Sequence, residues 1–297
     1  MGTGEFAALT AAACWATASL LYGKTRLSAS GMNFAKNVVA TLAIVIHLVV
    51  VAKWQGRPSF SADVMAWKWL GLSGFVGIVV GDTCYFRSLQ ILGARKALIV
   101  STTAPVFAAL LGFLCLGEVL TAHVTFGILL TIAGVIYVVA DRASAEESPG
   151  LFPGSTSSGV LFGLCGAVCQ AVGGVCSKIG MKDCDALEAA FIRLAVSAVG
   201  AFLVVQYAGQ LRQVIRDVLD RSLLKTFLPA VLLGTWLGIW LCQVAFKHST
   251  VSIATTLLAT TPLFVLPLVW LFSGQRISGR AIVGSLIAVV GIAFVVN

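Results

Sequence analysis

The chain has 297 residues, of which 59% are hydrophobic and 11% charged, with a mean hydropathy of +0.98 and a net charge of +8. Soluble domains carry about a quarter charged residues, so too few charges are present to coat a water-facing surface, and a soluble enzyme, a disordered scaffold and a typical nucleic-acid binder are excluded. A crossing helix takes about 20 apolar residues, which gives room for about ten crossings and short loops.

Apolar runs broken by charged or Gly/Pro/Ser clusters predict spans over 4–23, 32–52, 67–86, 95–116, 122–140, 158–178, 187–208, 225–246, 250–272 and 279–296. The first run lacks the basic leader of a secretory signal and is expected to stay as a span. Between the fifth and sixth runs, residues 141–158 are polar and rich in Ser, Pro and Gly, the composition of a flexible linker. They divide the chain into 1–140 and 159–297. Residues 210–225 set Leu and Val among Arg212, Arg216, Asp217, Asp220 and Arg221, which suits either a short interfacial amphipathic helix or a solvated loop. Most cations lie in loops and helix ends, where they set topology and meet lipid headgroups. The cysteines sit mainly in apolar runs and read as small packing residues; Cys165 and Cys169 share a helix face but have no histidine nearby to suggest a metal site.

The two halves align. At a shift of 157 positions Pro105 meets Pro262, Phe107 meets Phe264, Gly127 meets Gly284, Gly134 meets Gly291, and the pair Gly77/Gly81 meets Gly234/Gly238. Phe34 and Lys36 fall on Phe191 and Arg193 in the same register, and nearer the start a shift of 155 puts Cys14 on Cys169. The chain is a five-span unit written twice. Because five is odd, the second copy enters from the opposite side, so the repeats are inverted. This is an architecture of secondary transporters, with a substrate site at the repeat interface near the midplane.

The segment from Gly81 to Asp141 resembles the EamA-type branch of the drug/metabolite transporter superfamily. Tyr85-Phe86-Arg87-Ser88-Leu89, Gly93-Ala94, Ala104-Pro105-Val106-Phe107, Leu116-Gly117-Glu118, Gly127 and Ala133-Gly134-Val135 carry the likeness. The second copy keeps Thr261-Pro262, Gly274, Gly284 and Val290-Gly291-Ile292, and departs at Gln275, where the first has Glu118. The resemblance implies an all-α polytopic membrane protein: ten helices as two inverted five-helix repeats around a central cavity, moving small metabolites.

Charges inside spans are costly and usually face a cavity or a partner. Lys36 and Asp82 lie at equal depth, which makes an ion pair, a substrate anchor or a proton-carrying Asp82 the alternatives; Arg87 is a competitor nearer the surface. Arg193 repeats Lys36 toward the other face, with Gln243 and Lys247 at similar depth, Lys247 being expected to snorkel to the headgroups. Trp15 and Gln170 occupy equivalent midpoints of the first and sixth spans, Asn37 and Tyr85 add polar handles, and Trp240 precedes Gln243 by one turn. These residues, which are equally open to a packing role, form the candidate substrate-binding list. Pro105 and Pro262 interrupt the fourth and ninth spans as candidate hinges or static bends. Gly77/Gly81 and Gly234/Gly238 read as close-packing pairs. His47, His123 and His248 do not cluster, and there is no Walker loop or nucleophile elbow.

The expected function is a secondary transporter, an exporter or exchanger of small polar metabolites such as amino acids, working by alternating access. The alternatives are a lipid-modifying membrane enzyme and a non-transporting membrane protein. The expected partners are a small-molecule substrate, membrane lipids and a candidate coupling proton, with no nucleic acid, cofactor or metal. The expected location is a bacterial-type inner (plasma) membrane. The resemblance implies cytoplasmic termini, whereas the loops this places outside hold twelve cations (Lys24, Arg26, Arg87, Arg95, Lys96, Arg142, Arg212, Arg216, Arg221, Lys225, Arg276, Arg280) against six inside (Lys53, Arg57, Lys68, Lys178, Lys182, Lys247), the reverse of the positive-inside rule.

Overall fold

A computed structural model describes residues 1–22, 27–56, 60–141, 155–218, 220–273 and 278–296. The described residues are almost wholly helical. In order they form α1 (Thr3–Tyr22), α2 (Ala29–Gln55), α3 (Val64–Gly74), a π-helical segment (Phe75–Gly81), α4 (Asp82–Ser101), α5 (Ala104–Leu116) and α6 (Ala122–Asp141). The second half supplies α7 (Thr156–Gly180), α8 (Ala186–Tyr207), α9 (Leu211–Val218), α10 (Arg221–Ala230), a second π segment (Val231–Leu237), α11 (Gly238–His248), α12 (Val251–Leu258), α13 (Thr261–Ser273) and α14 (Gly279–Val296). Among the described residues, nine helical stretches are long and apolar enough to cross a membrane, and α5 is a shorter apolar helix of 13 residues that completes the fourth crossing. The result is an integral multi-pass membrane protein of two inverted five-helix repeats.

Three local features refine the sequence expectation. Helical hydrogen bonding runs unbroken through Asp82–Ser101, where a loop after residue 86 is expected. Yet Ser88 Oγ and Val100 Cγ1 lie 2.8 and 2.7 Å from where a Gly163 Cβ would stand, closer together than twelve residues of straight helix, about 18 Å long, allow, so this stretch bends sharply between them. Pro105 and Pro262 do not bend continuous helices. Each stands second in a new helix, after a break at Thr102-Thr103 or Ala259-Thr260, so the fourth and ninth crossings are discontinuous. Proline fits there because the first turn has no internal acceptor for its missing N–H. Residues 211–218 are indeed a short helix, whose Val214 is buried against Gly31. Most of the expected linker, together with Lys24, Arg26, Arg57, Arg142, Gly274, Gln275 and Arg276, lies outside the described residues.

The inverted relation is written into the contacts. α6 and α14 pack along their glycines: a Cβ at Gly127 would lie 2.8 Å from the Gly291 carbonyl oxygen, and one at Gly134 would lie 2.7 Å from that of Gly284. The 157-residue shift turns the pair 127/291 into 284/134, so each contact maps onto the other. Such exchange of i with j is the mark of a two-fold axis, here within one chain. The same holds nearer the centre, where Gly77 lies against Gly173 and Gly234 against Ala18. Between the repeats the core is assembled from alanines and small aliphatics of α1, α7, α8, α11 and α12, because helices attract each other in lipid mainly through close van der Waals packing.

Gly134→Val places a branched side chain 2.5 Å from the Ala288 nitrogen. It is expected to destabilise the protein by about 1–3 kcal/mol, read as a lowered detergent melting temperature. Gly279→Ala, which meets nothing within 4 Å, is expected to leave melting unchanged.

Candidate functional site

The site is organised around the first π segment. A π turn shifts the hydrogen-bond register and leaves carbonyls in need of other donors, which is why such turns recur at functional positions. Here three side chains donate to carbonyls of the segment, one of which, Ile78 O, also accepts from Asp82 N. Gln170 Nε2 on α7 donates to Gly77 O at 3.1 Å, Asn33 Nδ2 on α2 donates to Ile78 O at 3.4 Å, and Thr83 Oγ1 donates to Val79 O at 2.5 Å. Asp82 follows the segment directly. Its Oδ2 accepts from Lys36 Nζ at 2.9 Å and its Oδ1 from Gln170 Nε2 at 3.2 Å. The Lys36 ammonium also stands 5.9 Å from the centre of the Phe86 ring, within cation–π range. The Lys36 and Asp82 side chains keep 13% and 20% of their surface accessible, and Gln170 is exposed. The pair is thus mostly desolvated yet partly accessible, between α4 of one repeat and α7 of the other.

The second π segment is capped in the mirrored manner. Trp15 Nε1 on α1 donates to Gly234 O at 2.8 Å. Trp15 is the counterpart of Gln170, and Gly234 of Gly77. Thus the first helix of each repeat satisfies the π carbonyl of the other repeat's third helix. Around this second cap the surroundings are aromatic: the His47 ring stands 5.6 Å from Trp236 and 4.9 Å from Trp240, both edge-on, and the Tyr22 and Thr235 hydroxyls are 2.9 Å apart.

Arg193, the counterpart of Lys36, is buried with 5% of its surface exposed. Its Nη1 donates to Ser177 Oγ at 2.8 Å; Ser177 Oγ lies 2.9 Å from Ser73 Oγ, which donates to Gly173 O at 2.5 Å. The Nη2 edge lies 3.3 Å from where a Gly77 Cβ would stand. Lys36, Asp82, Gln170, Gly77 and Arg193 therefore form one continuous polar track across both repeats.

Other expected site residues are placed differently. Asn37 is fully buried and donates to Asn33 Oδ1 at 3.3 Å, so it supports the residue that caps Ile78 rather than the ion pair itself. Tyr85 follows Asp82 by one turn, its backbone against Gly166 and its ring 5.8 Å from Phe86. Gln243 is fully buried with neither amide atom hydrogen-bonded. Lys247 Nζ donates to Cys184 O at 2.8 Å and lies 3.6 Å from Asp185 Oδ1, both in the turn between α7 and α8. Arg193, Gln243 and Lys247 consequently do not share one hydrogen-bonded cluster. Among the described residues no group of three His, Cys, Asp or Glu side chains could hold a metal ion, while Cys84 and Cys165 bring their Sγ atoms to 3.6 Å.

Asn33, Ser73 and Ser177 escaped the sequence reading. The signal for them was polar spacing inside apolar spans, as in the i, i+4 pair Asn33 and Asn37. A further cluster closes one end of the bundle. Both Glu118 carboxylate oxygens accept from Val251 N at 3.0 Å, at the start of α12, where the helix dipole favours negative charge. Lys178 Nζ lies 3.4 Å from Glu118 and donates to Ser249 O, and Ser249 Oγ donates to Glu5 Oε1 at 2.7 Å. Nearby, Glu188 accepts from Ser61 N and Oγ at 3.0 and 2.9 Å. This end is tied across both repeats.

Two inverted five-helix repeats with an ion pair inside the apolar bundle fit a class, that of inverted-repeat membrane transporters. The model of the EamA-like transporter family matches residues 2–140 and again 157–297, and the chain belongs to that family. It is 30% identical over 146 residues to an uncharacterized transporter of Archaeoglobus fulgidus, a match spanning about half of each chain (48% and 50%). It is 26% identical over 220 residues to protein LicB of Haemophilus influenzae, covering 73% of this chain and 72% of that one. A solved crystal structure 18% identical in sequence superposes with a TM-score of 0.74 over 98% of this chain and 95% of the other, a likeness of fold.

Lys36 and Asp82 can be tested as a coupled pair. Lys36→Met and Asp82→Asn are each expected to lower stability, and the double variant to lose less than the sum. The expected coupling is about 1–3 kcal/mol, from a double-mutant cycle of unfolding in mild denaturant; purely additive effects would show that the pair is not energetically linked.

Proposed function

We propose that the protein is a secondary transporter of small polar metabolites, amino acids among them, that works by alternating access between its two repeats. The observation that carries this reading is the Lys36–Asp82–Gln170 group. It is a charged, partly accessible site inside the apolar bundle, built from both repeats and lying against a π turn whose Gly77 carbonyl is capped across the interface. A purely structural ion pair would be no worse for being sealed, whereas a site that binds and releases a solute must be reachable. The discontinuous fourth and ninth crossings add to this support, since broken helices are a recurring device at transporter midplanes. The tied Glu118 end gives the motion a place to be blocked while the other end opens.

Counterflow in proteoliposomes loaded with a mixture of unlabelled amino acids and other small polar metabolites tests the reading. Saturable uptake of at least one radiolabelled member is expected, and its absence across the whole panel would overturn transport. Proton coupling through Asp82 is part of the proposal. Uptake is expected to rise when a pH gradient is imposed on wild-type proteoliposomes. In Asp82→Asn the rates with and without the gradient should be equal; a mutant that still responds would place the proton elsewhere.

The proposed location is a bacterial-type plasma membrane with both termini in the cytoplasm, so that the 141–158 linker is outside. Single cysteines introduced into that linker, in a chain freed of its native cysteines, should react with an impermeant thiol reagent on intact cells. Labelling only after permeabilisation would reverse the orientation.

A further inference from the structure

We infer that the ligand of the midplane site carries an anionic group, a carboxylate in the simplest case, and that Arg193 is the cation that docks it; this deepens the transporter reading and relies on it for the location of the site. The argument is one of charge balance. Two cations and one carboxylate lie along the track. Lys36 and Asp82 neutralise one another at 2.9 Å. Arg193 has no carboxylate within ion-pair distance among the described residues: its Nη1 is held by the neutral Ser177 hydroxyl, and its Nε has no hydrogen-bond partner although the side chain is 95% buried. The titratable groups that face it are Asp82, already paired with Lys36, and the thiols of Cys242 and Cys176. A buried charge without a counter-charge is strongly unfavourable, and a guanidinium is shaped to receive a carboxylate through two parallel hydrogen bonds.

The internal symmetry shows where the counter-charge was lost. Under the 157-residue shift Lys36 becomes Arg193, and Asp82 becomes Ile239. The first repeat supplies its cation with an acid; the second keeps the cation and puts an aliphatic residue in the acid's place. A ligand carboxylate restores the balance. Gly77 links the two ends of the track: the Nη2 edge of Arg193 lies 3.3 Å from where its Cβ would stand, and its carbonyl is held by the exposed Gln170.

The test uses the purified full-length protein in detergent and three pairs of probes: acetate and acetamide, glycine and glycinamide, succinate and succinamide. At least one acid is expected to raise the melting temperature saturably, with its amide weaker by about tenfold or more. Arg193→Gln should weaken the binding of that acid by about tenfold or more, and Arg193→Lys by less. Should Arg193→Gln fail to fold, Ile239→Asp supplies the missing carboxylate from within and is expected to abolish acid binding in a folded protein. The inference is overturned if no acid binds, if amides bind as well as acids, or if acid binding survives unchanged in Arg193→Gln or Ile239→Asp. Counterflow of the bound acid separates the two readings. An acid that binds through Arg193, with no member of the metabolite panel exchanging, would overturn transport and leave the anion site standing.

Discussion

Inside an apolar bundle each backbone carbonyl must find a donor, because an unsatisfied peptide group in a low-dielectric medium costs about several kcal/mol. In this protein the two π segments set that requirement at equivalent positions of the two repeats, and each is met from the opposite repeat: Gln170 reaches Gly77, and Trp15 reaches Gly234. The caps hold α1 and α7 against the third helices of their partners. They also fix the Gln170 amide where it reaches Asp82. Without the shifted register after Gly74, Asp82 would not follow a capped π turn, and the Lys36–Asp82 pair would lose its third member. The chemistry of the site is thus a by-product of satisfying the backbone.

The same symmetry that builds the scaffold is broken where function is expected. Gln170 and Trp15 do the same structural work with different chemistry: an amide keeps one half polar, and an indole begins an aromatic group with His47, Trp236 and Trp240 in the other. Lys36 has its acid, whereas Arg193 has hydroxyls instead. A perfectly symmetric protein would present two identical half-sites. Divergence at a handful of positions leaves one polar track that crosses the interface, with an unequal distribution of charge along it.

At the Glu118 end the two repeats are joined by charge as well as by close backbone packing, Gly4 of α1 standing against the backbone of His248 and Ser249. Glu118 serves as a cap for α12 and as the counter-ion of Lys178, which closes the C-terminal end of α7. One carboxylate thereby ties the α5–α6 loop of the first repeat to two helices of the second. These contacts are few and polar, in contrast to the glycine seam between α6 and α14, which allows no side chain to enter. A bundle so built has a rigid seam and a clasp held by a small number of ion pairs and hydrogen bonds.

Much of this was legible in the sequence because its causes are local or repetitive. Twenty-residue apolar runs follow from the thickness of the membrane, and inversion follows from an odd number of spans. The depth of Lys36 and Asp82 follows from counting residues along helices of known rise. The prolines marked the broken crossings, although that they begin new helices, rather than bend old ones, depended on where the preceding helices end. What the tertiary structure alone decided is which side chains meet. Nothing in the spacing of Gly77/Gly81 distinguishes a packing pair from a π turn, since the register shift is settled by donors from other helices. The placing of Arg193 beside Gly77, instead of with Gln243 and Lys247, depended on how α8 packs against α3 and the first π segment. Its lack of a counter-charge became visible only then, because a charge balance can be drawn only once the neighbours are in place.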